Sequence, residues 1–504
     1  MDQSLIDEVL SARAATLDRA RPEAVAKVRA RGHLTARERI AAVLDAGSFV
    51  EYGVLADSDG AGAADGLVNG FGQLDGKPIA IASYDYSVFG GSQSFVNHNK
   101  LERIINVAYD QRLPFLCFSD GGGLRTHALT GTATRGGQRG QFHWIQGLAM
   151  MSGWAPTVAV VSGRAFAGNA TIAGHSDLVI ATRGSAVGMG GPPLVEQALG
   201  IKVTPEELGA VEMHEKSGGI DLLVADEPAA IAAAQQYLRF FLHEENDAEP
   251  SPTAASIASI VPENRRRAYD MRKVVHALVD SESLFELRPN WAKTVITALA
   301  RMGGKTVGLL ANQPMSNRVG AIDADACDKI TRFVQLCDAF DFPLVSLIDN
   351  PGFMIGPDAE RAGIARRHAR TIMAHVHRTV PLYCVQIRKG YGLGPAAMGG
   401  MYGRCDLSLA WPTCETGGMG LEGAASLAQR DQIAAAGDDQ AAIRAIREEY
   451  AAEVRRGKSG LSAGRNNSFD DIVDPAETRD RIIAILRFNQ RAVRTQKKHY
   501  IDTW

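Results

Sequence analysis

The chain has 504 residues, more than one ordinary hydrophobic core holds, and this length predicts at least two large domains. Hydrophobic residues make up 45% of it and charged residues 22%, a composition typical of globular proteins. The formal net charge of −3 provides no surplus of basic residues for binding nucleic acid or an anionic membrane, so neither partner is expected.

The first 45 residues predict helices. Thr35-Ala36-Arg37-Glu38 is a capping box, because the Thr35 side chain can accept the third helical N–H while Glu38 reaches back. Apolar side chains then follow at helical spacing, at Ile40, Val43 and Leu44. We interpret the Arg-, Glu- and Lys-rich stretch before the box as a solvated helical arm, with docking of a partner as the alternative. The start, Met1-Asp2-Gln3-Ser4, does not resemble a signal peptide.

From about residue 64 onward, short β-branched runs alternate with helical stretches. Four runs are predicted to be buried strands, at 79–82, 115–119, 157–161 and 178–181. Two stretches between them are predicted to be helices, at 95–110 and 140–151. Strands that alternate with helices predict βαβ units and a mostly parallel sheet.

A polar, Pro-rich stretch at 244–262 predicts a linker between an N-terminal domain, residues 1–250, and a C-terminal domain, residues 260–504. After it the alternation of short β-branched runs with helical stretches returns, with predicted strands at 307–310, 344–348, 382–387 and 407–410. Five landmarks recur in the second half at a nearly constant offset, among them Asp120 with Asp349 and Pro114 with Pro343. This repeat offset, defined by the step from Asp120 to Asp349, predicts two copies of one α/β unit.

The six cysteines include no CxxC pair, so no zinc ribbon is expected, and we predict buried, reduced thiols in a cytoplasmic protein. No stretch of 18 apolar residues exists, so no membrane-spanning helix is expected. There is also no GxSxG, HExxH or Walker loop, and no nucleophile–base arrangement stands out.

Glycine-rich segments do follow the predicted strands. They are Asp120-Gly121-Gly122-Gly123, Phe166-Ala167-Gly168-Asn169, Asp349-Asn350-Pro351-Gly352-Phe353 and Tyr391-Gly392-Leu393-Gly394. In open α/β sheets, ligands bind beyond the carboxyl ends of the strands. Glycine there lets the backbone approach a ligand, and two N–H groups from facing loops can hold a developing oxyanion. The alternative is that the four segments are simple turns.

Longer motifs, in order along the chain, give the loops a context. They lie at 33–40 (HLTARERI), 64–72 (ADGLVNGFG), 88–92 (VFGGS), 206–209 (EELG), 268–272 (AYDMR), 312–314 (NQP), 351–353 (PGF), 388–392 (RKGYG) and 410–412 (AWP). In these motifs the chain resembles the carboxyltransferase (β) subunits of biotin-dependent acyl-CoA carboxylases, such as those for propionyl-CoA and methylcrotonyl-CoA. The resemblance covers nearly the whole chain.

That resemblance implies an α/β fold of two tandem crotonase-like domains (the ClpP/crotonase spiral of ββα turns) behind the N-terminal helical arm. The first half would bind acyl-CoA and the second carboxybiotin. The active site would lie between the first half of one subunit and the second half of another, in a homohexamer. The sequence has no Met-Lys-Met biotinylation site and no ATP-grasp segment, so biotin carboxylase and the biotin carrier are expected on other chains. No metal is expected.

The resemblance also implies roles for the loop residues. Gly122 or Gly123, with Gly168 and Asn169, would hold the thioester oxyanion. For the biotin ureido oxygen, the implied residues are Gly352, Phe353, Leu393 and Gly394. Further residues implied to bind the cofactor or CoA are Gly90, Gly91, Ser92, Arg125, Tyr391 and Gly392. For Arg125 a structural salt bridge is an equal alternative to a CoA phosphate.

The implied reaction transfers a carboxyl group from carboxybiotin to the α-carbon, or a vinylogous γ-carbon, of an acyl-CoA. A proton beside a thioester is weakly acidic, so fixed N–H donors must stabilise the enolate. The base would be the biotin ureido anion, so no side-chain base is required. Histidines near the first loops, His127, His143 and His175, are therefore expected to be packed or solvated rather than catalytic.

Several positions depart from the family pattern. The chain has Gly168-Asn169-Ala170 where Gly-Gly-Ala is usual, and the Asn169 side chain is expected to fill space near the acyl group. It has Tyr391-Gly392-Leu393-Gly394 where Tyr-Gly-Gly-Ala or Tyr-Gly-Ala-Gly is usual, followed by Pro395, which has no N–H to donate. Asp120-Gly121-Gly122-Gly123 replaces Asp-Ser-Gly-Gly.

Three other functions are considered. A biotin-dependent decarboxylase subunit would run the same chemistry in reverse, and a non-catalytic scaffold would keep only the fold. A crotonase-type hydratase or isomerase requires an acidic residue at the first-half loops, and neither 122–124 nor 168–170 contains one. The acyl group is left open, because Gly190-Gly191-Pro192-Pro193 is more similar to the methylcrotonyl branch and Tyr269-Asp270-Met271-Arg272 to the propionyl branch.

Overall fold

The structure, a computed structural model, describes residues 2–57, 62–125, 140–242, 257–265, 267–400, 405–457, 460–488 and 496–504. The chain divides into two units, each with its own sheet. Unit 1 comprises Met1–His243 and Gln496–Thr503, and unit 2 comprises Glu244–Thr495 and Trp504. Most of the expected linker, residues 244–256, lies outside the described residues.

The chain begins with the predicted helices, α1 (Gln3–Ala15), α2 (Pro22–Arg29) and α3 (Ala36–Val43). The capping box is confirmed, since Glu38 N–H donates to Thr35 Oγ1 over 3.1 Å and Thr35 N–H donates to Glu38 Oε2 over 2.8 Å. Ile40 and Val43 bury the inner face of α3, whereas α1 buries no residue. The first helix is therefore exposed in this chain, together with its apolar Leu5, Val9 and Leu10, and both the solvated arm and the docking alternative stay predictions.

Unit 1 contains, within its described residues, a seven-stranded sheet in the order β1-β2-β3-β4-β5-β7-β9 and a two-stranded sheet β6-β8. The strands are β1 (Val50–Glu51), β2 (Leu67–Leu74), β3 (Lys77–Tyr84), β4 (Phe115–Phe118), β5 (Thr157–Val161), β6 (Arg164–Phe166), β7 (Leu178–Thr182), β8 (Ala186–Gly188) and β9 (Leu222–Val224). The hairpin β2–β3 is antiparallel, and the pairs from β3 to β9 are parallel. The four predicted strands are confirmed.

Helices cover this sheet. They are α4 (Phe95–Gln111), α5 (Trp144–Met151), α6 (Gly168–His175), α7 (Pro192–Leu199), α8 (Pro205–Gly209), α9 (Val211–Ser217) and α10 (Glu227–Leu242). Leu101, Ile104 and Ile105 of α4 are fully buried in one cluster with strand residues such as Phe115. Each such side chain contributes about 1.5–3 kcal/mol to folding. This packing fixes the strand ends that carry the glycine-rich loops.

Unit 2 has an eight-stranded sheet among its described residues, in the order β10-β11-β12-β13-β14-β15-β17, with β16 paired to β14. Its strands are β10 (Phe285–Leu287), β11 (Val295–Met302), β12 (Lys305–Asn312), β13 (Leu344–Asn350), β14 (Leu382–Tyr391), β15 (Leu407–Ala410), β16 (Glu415–Gly417) and β17 (Asp471–Ile472). Again an antiparallel hairpin, β11–β12, leads into parallel strands.

The helices of unit 2 are α11 (Met271–Leu278), α12 (Ala324–Ala339), α13 (Pro357–Arg361), α14 (Ile364–His377), α15 (Gly394–Ala397), α16 (Leu421–Ala428), α17 (Arg430–Ala435), α18 (Gln440–Gly457), α19 (Gly460–Arg465) and α20 (Thr478–Leu486). Short 3₁₀ turns lie at Asp18–Ala20, Ala63–Gly66, Phe89–Gly91, Ile257–Ser259 and Pro475–Glu477. The expected mixed α/β fold, with two sheet-containing units, is confirmed.

The repeat extends to buried side chains. Lys100 on α4 and Lys329 on α12 are separated by the same offset as Asp120 and Asp349, and both lysines are buried. Lys100 Nζ donates to the carbonyl oxygens of Ala64, over 2.8 Å, and Leu67. Lys329 Nζ donates to three carbonyl oxygens, those of Arg288, Trp291 and Val295, over 2.9–3.0 Å. In both units a lysine thus ties the first long helix to the entry of the hairpin.

Two smaller expectations concern the thiols and the membrane. All six cysteines are free, and five of them are buried. Among the described residues, no helix is long and apolar enough to cross a membrane.

Candidate active site

The first glycine-rich loop begins at Asp120, directly after β4. The Asp120 carboxylate is buried and accepts the N–H groups of Ser162 and Gly163, each over 2.9 Å, and the Ser162 hydroxyl over 2.9 Å. The Arg39 guanidinium lies 2.8 Å from its other side. Asp120 therefore holds the ends of β4 and β5 together, so the loop starts from a fixed point.

Arg39 connects this aspartate to a second buried carboxylate, Glu227. Its guanidinium lies 2.6 Å from Glu227 Oε1, and Glu227 also meets His33 Nδ1 at 3.0 Å and Leu34 N–H at 2.8 Å. Burial alone would raise the pKa of Glu227, but the hydrogen bonds from His33, Arg39 and Leu34 lower it to about 2. The Glu227 carboxylate therefore stays ionised near neutral pH.

A cavity of about 670 Å³ lies beside this network. Its walls include residues that follow β3, β4, β5, β7 and β9, so it occupies the carboxyl edge of the parallel sheet, where ligands of α/β proteins bind. Its lining contains four arginines, Arg31, Arg39, Arg164 and Arg183, and five carboxylates, Asp85, Asp120, Glu206, Asp226 and Glu227. The cavity is therefore large enough for part of a ligand, and its lining combines positive and negative side chains.

The N–H of Gly123 is occupied within the protein. It donates to Asn169 Oδ1 over 3.1 Å, while the Gly123 carbonyl accepts Gln93 N–H over 2.6 Å. Gly123 has φ +81°, and a Cβ there would lie 2.7 Å from Ala167 Cβ, so only glycine fits. Of the two glycines that the sequence left open as donors, Gly122 is the one whose N–H is not engaged by a described residue.

The facing donors belong to the first turn of α6. Ala167, at φ +52° and ψ −119°, turns the chain into the helix. The N–H groups of Gly168 and Asn169 donate to no partner among the described residues, as expected for a helix N-terminus, where the helix dipole also favours negative charge. The structure thus brings Gly122, Gly168 and Asn169 to one place, since the Gly123 loop contacts Ala167 and Asn169 directly.

The Asn169 side chain packs against the first loop, and the expectation that it fills space near the acyl group stays a prediction. It is fully buried, and its Nδ2 lies 2.6 Å from the point that a Cβ on Gly121 would occupy. That Nδ2 has no hydrogen-bond partner in the described part of the chain. Because its carbonyl oxygen accepts Gly123 N–H, the side chain turns into the loop.

The second group of predicted residues in unit 1 supports the same loop. Gly91 has φ +66°, and a Cβ there would lie 2.5 Å from Asp120 O, so the 90–92 turn packs directly on the first loop. Gly90 also has positive φ, and the Ser92 hydroxyl donates to Phe89 O over 2.6 Å. The turn is therefore shaped by its own local hydrogen bonds and held in place through Gly91.

Arg125 is buried, and its guanidinium lies 2.8 Å from the Asp65 carboxylate and 4.9 Å above the Phe89 ring. This arrangement is the structural salt bridge that the sequence left as an equal alternative to a CoA phosphate contact.

In unit 2, Asp349 fixes the end of β13, as Asp120 fixes the end of β4 in unit 1. Its buried carboxylate accepts the Tyr269 hydroxyl over 2.8 Å, Arg388 Nε over 3.0 Å and Lys389 N–H over 3.1 Å. Arg388 also stacks 4.7 Å from the Tyr269 ring. The end of β14 is therefore fixed beside the end of β13.

The loop after Asp349 repeats the first loop closely. Gly352, at φ +114°, donates its N–H to Asn350 Oδ1 over 3.1 Å and accepts Ile322 N–H over 3.0 Å. Phe353 N–H, in contrast, has no partner among the described residues. Of the two predicted donors on this loop, only Phe353 has a free N–H.

The facing turn in unit 2 contains Leu393 and Gly394, whose N–H groups meet no partner among the residues that the structure describes. A Cβ on Gly394 would lie 3.0 Å from Gly352 Cα, so the two predicted segments are in contact. Gly392 N–H is occupied, because it donates to Gly417 O over 2.8 Å. The Leu393 side chain is half exposed.

Tyr391 is held by its hydroxyl, which donates to Glu415 over 2.5 Å. Burial and this carboxylate raise the pKa of Tyr391, so the hydroxyl stays protonated. Glu415 also pairs with Arg265 and Arg455. The Tyr391 side chain therefore supports the turn, and an apolar pocket of about 440 Å³ opens beside Gly417, lined by α16 and α18.

Sequence reasoning missed Leu124 as a donor. Gln93 bridges to Leu124 and Ile322 bridges to Phe353, so Leu124 and Phe353 are equivalent positions, separated by the repeat offset. Leu124 N–H has no partner among the described residues, as for Phe353. The offset that revealed the repeat would have identified this position.

The structure shows no alternative reactive centre within its described residues. No group of three or more His, Cys, Asp or Glu side chains there could hold a metal ion. His175 Nδ1 contacts Thr171 O at 2.8 Å and His143 precedes α5, so both are packed, while His127 lies outside the described residues.

Comparisons with known sequences connect this geometry to a family. The profile of the carboxyl transferase domain matches residues 27–501. The chain is 35% identical over 497 residues to the methylmalonyl-CoA carboxyltransferase 12S subunit of Propionibacterium freudenreichii subsp. shermanii, covering 94% of this chain and 92% of that protein. It is 33% identical over 511 residues to the propionyl-CoA carboxylase beta chain of Saccharopolyspora erythraea, covering 94% and 91%.

Solved structures give the same result. A single-chain, multi-domain long-chain acyl-CoA carboxylase is similar with a TM-score of 0.88 and 38% identity over 96% of this chain, which spans 49% of that longer protein. The transcarboxylase 12S hexamer with methylmalonyl-coenzyme A bound is similar with a TM-score of 0.82 and 32% identity, covering 99% of this chain and 96% of that one.

Proposed function

This chain belongs to the carboxyl transferase family of biotin-dependent acyl-CoA carboxylases, and we propose that it transfers a carboxyl group between carboxybiotin and an acyl-CoA of the propionyl or methylmalonyl type. One observation carries the proposal. In each unit, a loop at a strand end and the turn facing it present backbone N–H groups that no described residue uses. Such groups stabilise an oxyanion without any reactive side chain.

Unit 1 is proposed to bind the acyl-CoA. The thioester oxygen would accept N–H groups from Gly122 or Leu124 on one side and from Gly168 or Asn169 on the other. The positive end of α6 adds to their effect on the developing enolate. The cavity at the carboxyl edge of the sheet is proposed to take part of the CoA moiety. Each donor lowers the barrier by about 3 kcal/mol.

Unit 2 is proposed to receive carboxybiotin, which supplies the carboxyl group and the base when it is bound. Phe353, Leu393 and Gly394 fit this role, because their N–H groups, unused by any described residue, suit a ureido oxygen. Pro395 can donate nothing. The chain's own residues therefore bind and orient both partners, and the Asp120 and Asp349 carboxylates of these loops are engaged by hydrogen bonds within the protein.

The biotin carrier and biotin carboxylase are proposed to reside on other chains, and the assembly is proposed to be a cytoplasmic homohexamer. The support for the hexamer is the similarity to the transcarboxylase 12S hexamer. Methylcrotonyl-CoA stays the alternative substrate, and decarboxylation the alternative direction. An acyl-CoA panel assayed with the cognate biotin subunit and labelled bicarbonate distinguishes these substrates.

Gly168 provides a direct test of the donor role. Gly168→Ala and Gly168→Pro both add a Cβ that overlaps Gln93 Oε1, but only proline also removes the N–H. We expect Gly168→Pro to transfer carboxyl groups at least about 10²-fold more slowly than Gly168→Ala, measured as kcat with methylmalonyl-CoA as donor and free biotin as acceptor. Equal rates in two folded variants would exclude Gly168 N–H as a donor.

A further inference from the structure

Gly123 and Gly352 occupy equivalent places, separated by the repeat offset, and their N–H groups meet the same chemical partner. Gly123 N–H donates to Asn169 Oδ1 and Gly352 N–H donates to Asn350 Oδ1, each over 3.1 Å. The two carboxamides come from different elements, since Asn169 lies in the first turn of α6 and Asn350 ends β13. Both units thus contain the same hydrogen bond, but its acceptor comes from a different place in the chain.

The space at position 121 explains the difference. Gly121 is the residue of unit 1 equivalent to Asn350, since it follows Asp120 as Asn350 follows Asp349. A Cβ on Gly121 would lie 2.6 Å from Asn169 Nδ2 and 2.8 Å from Asn169 Cγ. The Asn169 carboxamide therefore occupies the place of the side chain that Gly121 lacks. In unit 2 the residue after Gly394 is Pro395, which has no carboxamide to offer.

The carboxamide also sets how closely the facing turn can approach. A Cβ on Gly394 would overlap Asn350 Oδ1. In unit 1 the corresponding contact is made by Gln93, whose Oε1 would overlap a Cβ on Gly168. Gln93 is buried, bonds Gly123 O through its own N–H, and donates from Nε2 to Tyr84 over 3.0 Å. In unit 1, Asn169 accepts the loop N–H and Gln93 limits the approach of the facing turn. In unit 2, Asn350 has both roles.

We propose that Asn169 and Asn350 are positioning residues that engage the N–H groups of Gly123 and Gly352 and so decide which neighbouring N–H groups face the ligand. The loop N–H groups that are left to face the ligand are those of Gly122 and Leu124 in unit 1 and that of Phe353 in unit 2. The Asn169 side chain is fully buried, so its carboxamide acts through the loop and not by touching substrate. The inference rests on the proposed function for the identity of the ligands, but not for the hydrogen bonds.

Amide hydrogen exchange tests these two hydrogen bonds directly. Asn169→Leu keeps a similar volume and removes the acceptor, whereas Asn169→Asp keeps the acceptor. In the full-length protein, exchange in peptides covering 121–124 should accelerate about tenfold or more in Asn169→Leu, stay slow in Asn169→Asp, and stay slow in Asn350→Leu. Asn350→Leu should accelerate exchange at 351–353 alone. If Asn169→Leu does not fold, Asn169→Ala is measured in its place. Unchanged exchange at 121–124 would overturn the inference.

Kinetics then separate positioning from stability. In transfer from methylmalonyl-CoA to free biotin, Asn169→Leu should lower kcat by about ten- to a hundredfold and leave KM for biotin within about twofold. Asn350→Leu should raise KM for biotin, with KM for methylmalonyl-CoA unchanged. A variant that exchanges faster but keeps both constants would refute the positioning role. If the wild type transfers nothing, the proposed function fails, and the exchange experiment still decides whether the two hydrogen bonds hold the loops.

Discussion

Arg39 stands between two buried carboxylates, Asp120 and Glu227, at 2.8 Å and 2.6 Å. Arg39→Met would keep most of the side-chain volume and leave both charges unpaired in a buried place. We expect the free energy of unfolding to fall by about 3–5 kcal/mol, the usual result of removing one partner from a buried ion pair. Urea unfolding followed by fluorescence measures it, and Arg239→Met, at an exposed pair with Asp75, is the control with a small effect.

Glu227 gives the same network a pH dependence. Its pKa falls from an ordinary 4.5 to about 2 in the folded chain, because the His33, Arg39 and Leu34 hydrogen bonds outweigh burial. A carboxyl group whose pKa is lower in the folded state stabilises above its unfolded pKa, and that contribution disappears as the pH falls through the folded value. Relative to Glu227→Gln, the wild type should be more stable by roughly 3 kcal/mol near pH 6, and this advantage should shrink between about pH 4.5 and pH 2. An advantage that does not change with pH would contradict the assignment.

At the residue scale, the sequence predicts where backbone must approach closely but not which N–H is free. The sequence alone does not distinguish the N–H of Gly122 from that of Gly123. Only the fold shows that Gly123 N–H donates to Asn169. The place where the Asn169 side chain packs depends on the empty space above Gly121, which a linear pattern does not contain.

Among the elements, α12 depends on Lys329, whose ammonium group meets three carbonyl oxygens, two of them just before β11 and one at its first residue. Lys329→Met would remove the ammonium donor from all three carbonyls, of which that of Arg288 would keep the Trp291 N–H at 3.2 Å. We expect a loss of about 2–4 kcal/mol in unfolding free energy, since each unpaired buried acceptor costs at least about 1 kcal/mol. Lys100→Met, at the equivalent place in unit 1, should act in the same direction, and exposed Lys273→Met should change little. Denaturant unfolding curves of the three variants provide the comparison.

Elements with a strong hydrophobic pattern were predictable to within a few residues. Strands β5 and β15 have the predicted bounds of 157–161 and 407–410, because buried β-branched runs flanked by polar residues define a central strand well. Strands β2, β10 and β11 were not predicted. Strand β2 (Leu67–Leu74) contains Gly70 and Gly72, which carry little pattern, yet a Cβ at either would overlap Val50 O or Leu44, so packing requires them.

For the whole chain, the constant offset between the two halves is the strongest information in the sequence. It holds for a buried aspartate at a strand end, Asp120 and Asp349, and for a buried lysine, Lys100 and Lys329. It also holds for the bridges of Gln93 to Leu124 and Ile322 to Phe353. Two copies of one loop arrangement therefore exist in the described part of the chain, and they differ in the residue that engages the loop N–H, Asn169 in one and Asn350 in the other.

The last prediction concerns how two such sites cooperate in the assembly. If each active site combines unit 1 of one subunit with unit 2 of another, a variant inactive in unit 1 can complement one inactive in unit 2. Gly168→Pro and Phe353→Pro each remove one proposed donor N–H, and neither should transfer carboxyl groups when expressed alone. In a dimer of the two variants related by twofold symmetry, one site combines both defects and the other combines neither. Random co-assembly should therefore restore about a quarter of the wild-type kcat.

Co-expression of differently tagged variants, tandem purification and the methylmalonyl-CoA to biotin assay measure this recovery, and sedimentation verifies that the hexamer forms. Mixing the two purified variants without subunit exchange is the control, and it should remain inactive. A mixed hexamer with no recovered activity would mean that each site is built within a single subunit, because then every chain carries one defect in its only site.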